Sequence, residues 1–377
     1  MTKLHTLADL GQSIWYDYIR RAFIVSGELQ SLVDQGVRGV TSNPSIFEKA
    51  IAGSADYDAA LRTLVDAGKS VAEIYEALAL ADIQATADIL RPVFDGSNSA
   101  DGFVSLEVSP TLAHDTVGTI AEARRLHAAL DRPNVMIKVP ATAEGIPAIT
   151  ALIGDGISVN VTLIFSTAQY EPVAQAYLAG LEALAARGGD LSRVASVASF
   201  FVSRVDTAVD AGLEKIGERD LQGKIAVANA VAAYARFQTI FSGPRWARLA
   251  AQGAQVQRPL WASTGTKNPL YPDTLYVDAL IGPDTVNTVP PATLNAFLDH
   301  GAVASTLAQD VAGAHRQLAR LAGLGIDLDA ITARLQADGV AAFAQSFETL
   351  LASVAAKREK LLAEGQTLSA SLEPTHR

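Results

Sequence analysis

One lysine of this sequence stands in a short apolar run that is typical of a buried β-strand. Lys138 lies within residues 135–139, Val-Met-Ile-Lys-Val, which Pro133 and Pro140 bound on either side. A cation is costly there, so this lysine either extends its ammonium to water or exists largely as a neutral amine. A neutral amine is a nucleophile, and its natural target is a carbonyl carbon, with which it forms a Schiff base. The alternative is a strand-end lysine that reaches solvent or an ion-pair partner.

Further polar side chains stand at or near the same end of other predicted strands. Schiff-base chemistry needs an acid/base that dehydrates the carbinolamine and a base that takes a proton from a substrate hydroxyl. Glu107 and Asp17 are the two carboxylates available for these tasks. A role in core packing alone explains poorly why so many strands carry a polar residue at this end, because each buried polar group costs stability if it is unpaired. In chain order the set is Asp17, Asn43, Glu107, Lys138, Asn160 with Thr162, Ser199, and Ser263.

Two segments late in this series could bind a phosphate. Arg204 stands just beyond the sixth predicted strand, and Ser263 begins the small, hydroxyl-rich turn Ser-Thr-Gly-Thr-Lys that ends at Lys267. We expect Arg204, Ser263 and Lys267 to hold a phosphate at the last strands of a barrel, where barrel enzymes often bind it. Pairing of Arg204 with Asp206 or another acid is the alternative.

The elements that must position these residues alternate between short strands and helices. The predicted strands are residues 13–17, 37–41, 103–108, 135–139, 157–164, 194–201, 259–264 and 285–289. Eight such units predict a parallel (β/α)8 barrel, a TIM barrel, over residues 10–300, with a helical insertion from Asp206 to about Gln252. A doubly wound open sheet is the alternative, although the sequence lacks the Gly-rich motifs of nucleotide-binding folds.

From Pro291 onward the pattern is helical only. We expect a single domain over residues 1–377, in which residues 301–377 form C-terminal helices packed on the barrel. Phe343, Phe347, Leu350 and Leu351 stand at helical spacing and would supply the contact surface. The alternative is a dimerisation helix, so a homodimer remains open.

The composition argues against several classes of function. The formal charge is −10 without any Lys/Arg-rich run, so binding to nucleic acid or to an anionic membrane is disfavoured. The absence of cysteine excludes disulfides and thiolate catalysis and fits a cytoplasmic protein, and the first residues lack the apolar core of a signal peptide. The histidines are scattered, with no ligand spacing, so we expect neither a metal ion nor another cofactor.

Two segments resemble the signature sequences of the transaldolase family. These are residues 39–47, Gly-Val-Thr-Ser-Asn-Pro-Ser-Ile-Phe, and residues 135–146, Val-Met-Ile-Lys-Val-Pro-Ala-Thr-Ala-Glu-Gly-Ile. The resemblance continues through residues 104–108, 160–166 and 199–204, and therefore spans most of the predicted barrel in the right order. It implies a class I aldolase barrel and an enzyme of the pentose phosphate pathway. The reaction would transfer a dihydroxyacetone unit from fructose 6-phosphate or sedoheptulose 7-phosphate to erythrose 4-phosphate or glyceraldehyde 3-phosphate.

The resemblance also implies catalytic roles. Lys138 would form the Schiff base, and Asp17 would be the acid/base at the cleaved bond. Glu107 and Thr162 would handle a catalytic water beside Lys138.

Substrate-binding roles follow from the same matching. Asn43 and Asn160 would bind dihydroxyacetone hydroxyls, with Ser199 nearby, and Arg204 and Ser263 would bind the phosphate.

One position departs from the family pattern. Many transaldolases follow the serine of the seventh strand closely with a second phosphate-binding arginine, whereas here Lys267 follows Ser263. We expect Lys267 to substitute for that arginine. The chain length and the run Trp-Ala-Ser-Thr-Gly-Thr-Lys-Asn-Pro at residues 261–269 are similar to the long bacterial type of transaldolase.

Two other functions are alternatives for this sequence. A related aldolase cleaves fructose 6-phosphate and releases free dihydroxyacetone, but those relatives are much shorter and use a tyrosine where this chain has Asp17. A catalytically inactive barrel that acts as a scaffold has no use for a buried amine. Retention of Asp17, Glu107, Lys138 and Thr162 together argues against it.

Overall fold

Eight parallel strands form a closed barrel in chain order, with the first strand next to the last. The computed structural model describes residues 2–371, and side chains are described for residues 2–363. The strands are β1 (Gln12–Tyr16), β2 (Gly39–Val40), β3 (Phe103–Glu107), β4 (Val135–Pro140), β5 (Val159–Ile164), β6 (Ser196–Phe201), β7 (Arg258–Ala262) and β8 (Thr285–Val289). The predicted TIM barrel is therefore confirmed, and the open sheet is excluded.

One helix precedes the first strand, and the others lie between the strands or follow the last one. They are α1 (Lys3–Asp9), α2 (Arg21–Val25), α3 (Glu28–Gln35), α4 (Pro44–Ala52), α5 (Asp58–Asp66), α6 (Val71–Gly96), α7 (Thr116–Leu130), α8 (Gly145–Gly154), α9 (Thr167–Ala186), α10 (Ser203–Lys215), α11 (Ile225–Ile240), α12 (Pro244–Ala250), α13 (Leu275–Ala279), α14 (Pro291–His300), α15 (Val311–Gly323) and α16 (Leu328–Ser371). Helices α10 to α12 form the predicted insertion, and α16 forms most of the C-terminal extension. Residues 372–377 of that extension lie outside the described part.

Two strands are irregular at points where the site is built. Strand β7 ends at Ala262 because Ser263 has a φ of 56°, in the left-handed region, which turns the chain out of the sheet. Within β5, Leu163 has a φ of 62° and the pairing with β6 shifts register between Val161 and Ile164. Such a bulge re-aims the residues around it. Neither irregularity falls on a glycine, so the sequence gives no local signal of a positive φ at these positions.

A buried polar cluster closes the amino end of the barrel, away from the catalytic end. Asp101, just before β3, accepts hydrogen bonds from Ser13 Oγ and from Trp15 Nε1, the latter at 2.7 Å. Arg258, the first residue of β7, lies 3.4 Å from the same carboxylate, and both side chains are largely buried. The carboxylate thus connects β1, β3 and β7.

Replacing Asp101 with alanine is expected to lower the free energy of unfolding by about 3 kcal/mol, since Arg258 would keep its buried charge without its partner. Urea denaturation followed by circular dichroism measures this loss. The matched control is Asp95→Ala, which removes an exposed ion pair with Arg91 and is expected to cost less than about 1 kcal/mol. Equal losses in the two variants would contradict the structural role of Asp101.

The C-terminal helix α16 lies against the carboxyl end of the barrel. Gln336 Nε2 donates to the carbonyl oxygens of Ala141, at 2.9 Å, and of Leu163, at 3.0 Å. Ala141 directly follows β4, and Leu163 is the last residue but one of β5. Ser346 Oγ is 2.7 Å from Ser45 Oγ on α4. Of the four apolar residues predicted to make this contact, Phe343 and Leu350 are buried, whereas Phe347 and Leu351 are half-buried. A homodimer interface on its outer face stays a prediction.

Within the described residues, one segment of α16, Leu328–Ala363, is long and apolar enough to cross a membrane when judged by length and composition alone. Helices that pack on a protein core pass the same test, and α16 contacts the helices α4, α5, α6 and α10 and the strand β5. The prediction that the protein binds no membrane stays a prediction.

Candidate active site

Three of the predicted site residues form one row across adjacent strands. Glu107 on β3 pairs in register with Lys138 on β4, and Lys138 pairs with Asn160 on β5. Residues in register on parallel neighbours point to the same face of the sheet, so the three side chains share one layer. The parallel pairing therefore places a carboxylate, an amine and an amide side by side.

The Lys138 side chain is buried rather than extended to solvent. It is only 7 % exposed, and its Nζ lies 3.5 Å from Glu107 Oε2. Nζ also donates to the carbonyl oxygen of Ser42 at 3.3 Å. Above it, the ring of Phe343 from α16 has its centroid 5.5 Å from Nζ. The Lys138 side chain therefore does not extend to solvent. It is buried beside a carboxylate, which is its ion-pair partner.

Glu107 and Thr162 each present a buried oxygen toward this layer. Glu107 Oε2 and Thr162 Oγ1 have no hydrogen-bond partner among the described residues. Burial raises the pKa of Glu107, and the nearby Lys138 charge opposes that shift. Because buried polar atoms are normally satisfied, this pair is suited to bind a water molecule or a substrate hydroxyl.

Asp17 follows β1 on the opposite wall of the barrel. Its Oδ1 accepts a hydrogen bond from Thr41 Oγ1 at 2.7 Å, and its backbone N–H donates to the Val289 carbonyl at 2.9 Å. Burial raises its pKa above the ordinary aspartate value, whereas the bond from Thr41 and the charges of Lys138 and Lys267 lower it. A fixed carboxylate with a raised pKa is suited to exchange a proton with a substrate.

The three predicted hydroxyl-binding residues are placed differently from one another. Asn43 faces the cavity from the start of α4, where its Oδ1 caps the helix by accepting from the Ile46 N–H at 3.0 Å. Asn160 is fully buried and lies beneath Ser199, whose Oγ donates to Asn160 Oδ1 at 2.7 Å. The Asn160 amide in turn donates to Ser105 Oγ at 3.0 Å. Asn160 thus supports Ser199 from below.

Cationic groups gather at the ends of β6 and β7. The pairing of these strands continues beyond their ends, since the Ser203 N–H donates to the Ser263 carbonyl at 3.0 Å and the two hydroxyl oxygens are 2.9 Å apart. Arg204 in the first turn of α10 stacks on Phe201, 5.4 Å from the ring centroid, and burial lowers its pKa. The described side chains include no ion-pair partner for Arg204, so the alternative pairing with Asp206 is wrong; Asp206 instead accepts from the Tyr276 hydroxyl at 2.9 Å.

One cavity of about 420 Å³ brings most of the predicted residues together. This volume suits a small metabolite. Glu107 and Asn160 are not among its lining residues: Glu107 lines a neighbouring cavity of about 160 Å³, and Asn160 is fully buried. The predicted residues that line it are Asp17, Asn43, Lys138, Thr162, Ser199, Arg204, Ser263 and Lys267.

Several other residues line the same cavity and were missed by sequence reasoning. They are Tyr18, Thr41, Ser45, Lys49, Phe201, Thr288 and Phe343. Thr41 and Thr288 could have been found as further polar residues at strand ends. Phe343 carries no such signal, because it is one of several apolar residues in a helical tail.

Among the described residues, no group of three or more His, Asp or Glu side chains is placed to hold a metal ion. The chemistry available to this cavity is that of an amine, two carboxylates of raised pKa and a cationic end. Such a set at the carboxyl end of a (β/α)8 barrel defines a class of enzyme that captures carbonyl compounds on a lysine.

Comparisons with known proteins agree with this class. A family described as "Transaldolase/Fructose-6-phosphate aldolase" matches residues 14–354. A protein of Saccharopolyspora erythraea named transaldolase is 51 % identical over 363 residues, which cover 96 % of this chain and 98 % of that protein. The transaldolase of Acidothermus cellulolyticus is 52 % identical, covering 95 % and 97 % of the two chains, and that of Neisseria gonorrhoeae is 51 % identical, covering 93 % and 99 %. The chain belongs to the transaldolase/fructose-6-phosphate aldolase family.

Proposed function

We propose that this protein is a transaldolase, which transfers a dihydroxyacetone unit between phosphorylated sugars of the pentose phosphate pathway. The donor would be fructose 6-phosphate or sedoheptulose 7-phosphate, and the acceptor glyceraldehyde 3-phosphate or erythrose 4-phosphate. The observation that carries the proposal is the placement of the buried Lys138 amine between Glu107, at 3.5 Å, and a cavity that holds Asp17. The relatives named transaldolase support it over nearly the full chain.

The first step is capture of the donor ketone by Lys138. The amine must lose its proton before it attacks, and Glu107 is the nearest base, with a pKa raised by burial. The attack gives a carbinolamine, which loses water to become an iminium ion. Glu107 and Thr162, whose buried oxygens have no hydrogen bond among the described residues, would bind this water and pass protons through it.

The second step is cleavage of the carbon–carbon bond. Asp17 would take the proton of the hydroxyl on the far carbon of the bond that breaks, while the iminium accepts the electron pair of that bond and becomes an enamine. Thr41 holds this carboxylate in place from the neighbouring strand. The aldehyde product leaves, and in the reverse sense an acceptor aldehyde receives the carbon nucleophile and takes its proton back from Asp17.

The cationic end of the cavity would bind the phosphate group. Arg204 has no competing acid among the described residues, and Ser263 offers a hydroxyl next to it. Lys267 is exposed at the rim, and its charge reaches Asp17, since it lowers the pKa of that group. A partly buried guanidinium with a hydroxyl and an ammonium fits a dianionic phosphate.

Replacing Lys267 with alanine is expected to raise the KM of fructose 6-phosphate by about 10- to 100-fold, the value of one charge-assisted hydrogen bond, with a smaller change in kcat. The control is Lys215→Ala, which removes an exposed lysine from the last turn of α10. Initial rates with fructose 6-phosphate and with unphosphorylated fructose separate phosphate binding from a general defect. An unchanged KM for fructose 6-phosphate would remove Lys267 from the site.

The proposed function is tested by following both halves of the reaction. With fructose 6-phosphate and erythrose 4-phosphate, a transaldolase forms sedoheptulose 7-phosphate and glyceraldehyde 3-phosphate. With fructose 6-phosphate alone, it releases little free dihydroxyacetone. Release without an acceptor as fast as transfer with one would make the protein a fructose 6-phosphate aldolase instead. A cytoplasmic location and the absence of nucleic-acid partners stay predictions from the composition.

A further inference from the structure

The C-terminal helix contributes an aromatic ring to the catalytic cavity. Phe343 of α16 is 6 % exposed, lines the cavity with Lys138, and has its ring centroid 5.5 Å from Lys138 Nζ. Among the described residues that line the cavity, it is the one that comes from outside the barrel strands and the loops or helices that directly follow them. The amine therefore has barrel residues on one side and a ring from a separate helix over it.

The position of this ring is fixed from both sides along α16. Seven residues before it, Gln336 bonds to the ends of β4 and β5, at 2.9 and 3.0 Å. Three residues after it, Ser346 bonds to Ser45 on α4 at 2.7 Å. The anchoring strands are those that carry Lys138 and Thr162, so the ring is held relative to the reactive amine itself. A side chain that only filled space in the core would not need to be placed over a buried lysine.

We propose that Phe343 keeps bulk water away from the enamine on Lys138, and so makes the bound dihydroxyacetone unit wait for an acceptor aldehyde. This inference rests on the proposed function. The competing reaction begins when the enamine carbon gains a proton and the electron pair returns to form an iminium ion. Water then adds to the carbon that is double-bonded to nitrogen, which gives a carbinolamine. The C–N bond of the carbinolamine breaks, and free dihydroxyacetone and the lysine amine are formed. An apolar ring over the amine opposes this path because it leaves water without hydrogen-bond partners there.

The ring can exclude bulk water even if one water molecule is bound beside Glu107 and Thr162. The productive cycle releases one water molecule when the carbinolamine becomes the iminium ion, and it uses one when the product is hydrolysed from Lys138. The buried oxygens of Glu107 and Thr162, which have no hydrogen bond among the described residues, would hold this water on the barrel side. The ring comes instead from α16, with its centroid 5.5 Å from Nζ. One bound water molecule therefore takes part in the productive cycle, while the exclusion of bulk water protects the enamine.

The test compares Phe343→Gln with Phe343→Leu. Glutamine and leucine are similar in length and in helix propensity, so the pair separates polarity at the cavity from packing of the helix. Free dihydroxyacetone is measured with fructose 6-phosphate alone, while glyceraldehyde 3-phosphate is removed by a coupling enzyme. We expect the glutamine variant to release it about tenfold faster than the leucine variant, which should stay near the wild-type rate.

The control for a loosened helix is Leu350→Gln. Leu350 lies two turns further along α16, is also buried, and lines neither the cavity of Lys138 nor the neighbouring cavity that Glu107 and Phe347 line. Its release rate should match the wild type. Equal release by the glutamine and leucine variants at position 343, or equal release by the glutamine variants at 343 and 350, would overturn the inference. Rapid release by the wild type would overturn the proposed function instead, and the comparison among variants would still decide the role of the ring.

Discussion

Replacing Lys138 with methionine is expected to lower kcat by about 10⁵-fold or more, the size of loss found when a covalent nucleophile is removed. Methionine matches the lysine stem in length and suits the buried strand, so the barrel should remain folded. Glu107 loses its ion-pair partner at 3.5 Å, but a buried carboxyl can take up a proton and become neutral. The loss would therefore report chemistry and not unfolding, as thermal denaturation of the variant can check.

Borohydride reduction with fructose 6-phosphate identifies the reacting lysine directly. The wild type should gain a reduced adduct that peptide mapping places on Lys138, and the methionine variant should gain none. The matched control is Lys49→Met, which removes another lysine of the same cavity and should leave the adduct on Lys138. An adduct on any other lysine, or a methionine variant that retains turnover, would overturn the mechanism.

Asp17→Asn is expected to lower kcat by about 10²- to 10⁴-fold, because the asparagine cannot accept the proton of the substrate hydroxyl during cleavage. The side chain keeps its shape and can still accept the bond from Thr41. Schiff-base formation depends on Lys138 and Glu107, so borohydride trapping should persist in this variant while transfer is lost. That separation distinguishes a role at the carbon–carbon bond from a role in ketone capture. Loss of trapping together with transfer would contradict it.

The same carboxylate predicts the acid side of the pH profile. Burial raises the pKa of Asp17 above its ordinary value, and the base form is lost as pH falls through that raised pKa. The kcat/KM for cleavage should therefore begin to fall at a higher pH than an exposed aspartate would give. This limb should disappear in Asp17→Asn, whose residual rate needs no ionised residue at position 17. A limb that is unchanged in the variant would belong to another group, Glu107 being the first to test.

The sequence predicts the barrel well because its strands are short, apolar and separated by helical patterns. All eight predicted strands exist, and their order around the barrel follows from the chain alone. The errors lie at strand ends: β2 has two residues where five were predicted, and β7 ends before Ser263. Local patterns cannot show these ends, because a left-handed serine is favoured by tertiary contacts and not by its own propensity.

Some residues of the candidate site can be predicted from the sequence, and others cannot. Polar residues at strand ends are visible because buried polar groups are costly, and Lys138 and Asp17 were found in this way. The depth of Asn160 beneath Ser199 was not predicted, since the spacing along a strand gives the face but not the layer that a ligand reaches. Phe343 stands more than two hundred residues after Lys138 in the chain, and only the packing of α16 brings the two together.

That separation has a consequence for the enzyme while it is being made. A nascent chain whose synthesis has reached Val289 holds every barrel strand but not the helix that covers Lys138. At translation rates of about 5–20 residues per second, the remaining stretch to Phe343 takes several seconds or more. During this interval no ring from α16 is available to cover Lys138. The cover of the amine is therefore the last part of the candidate site to be synthesised.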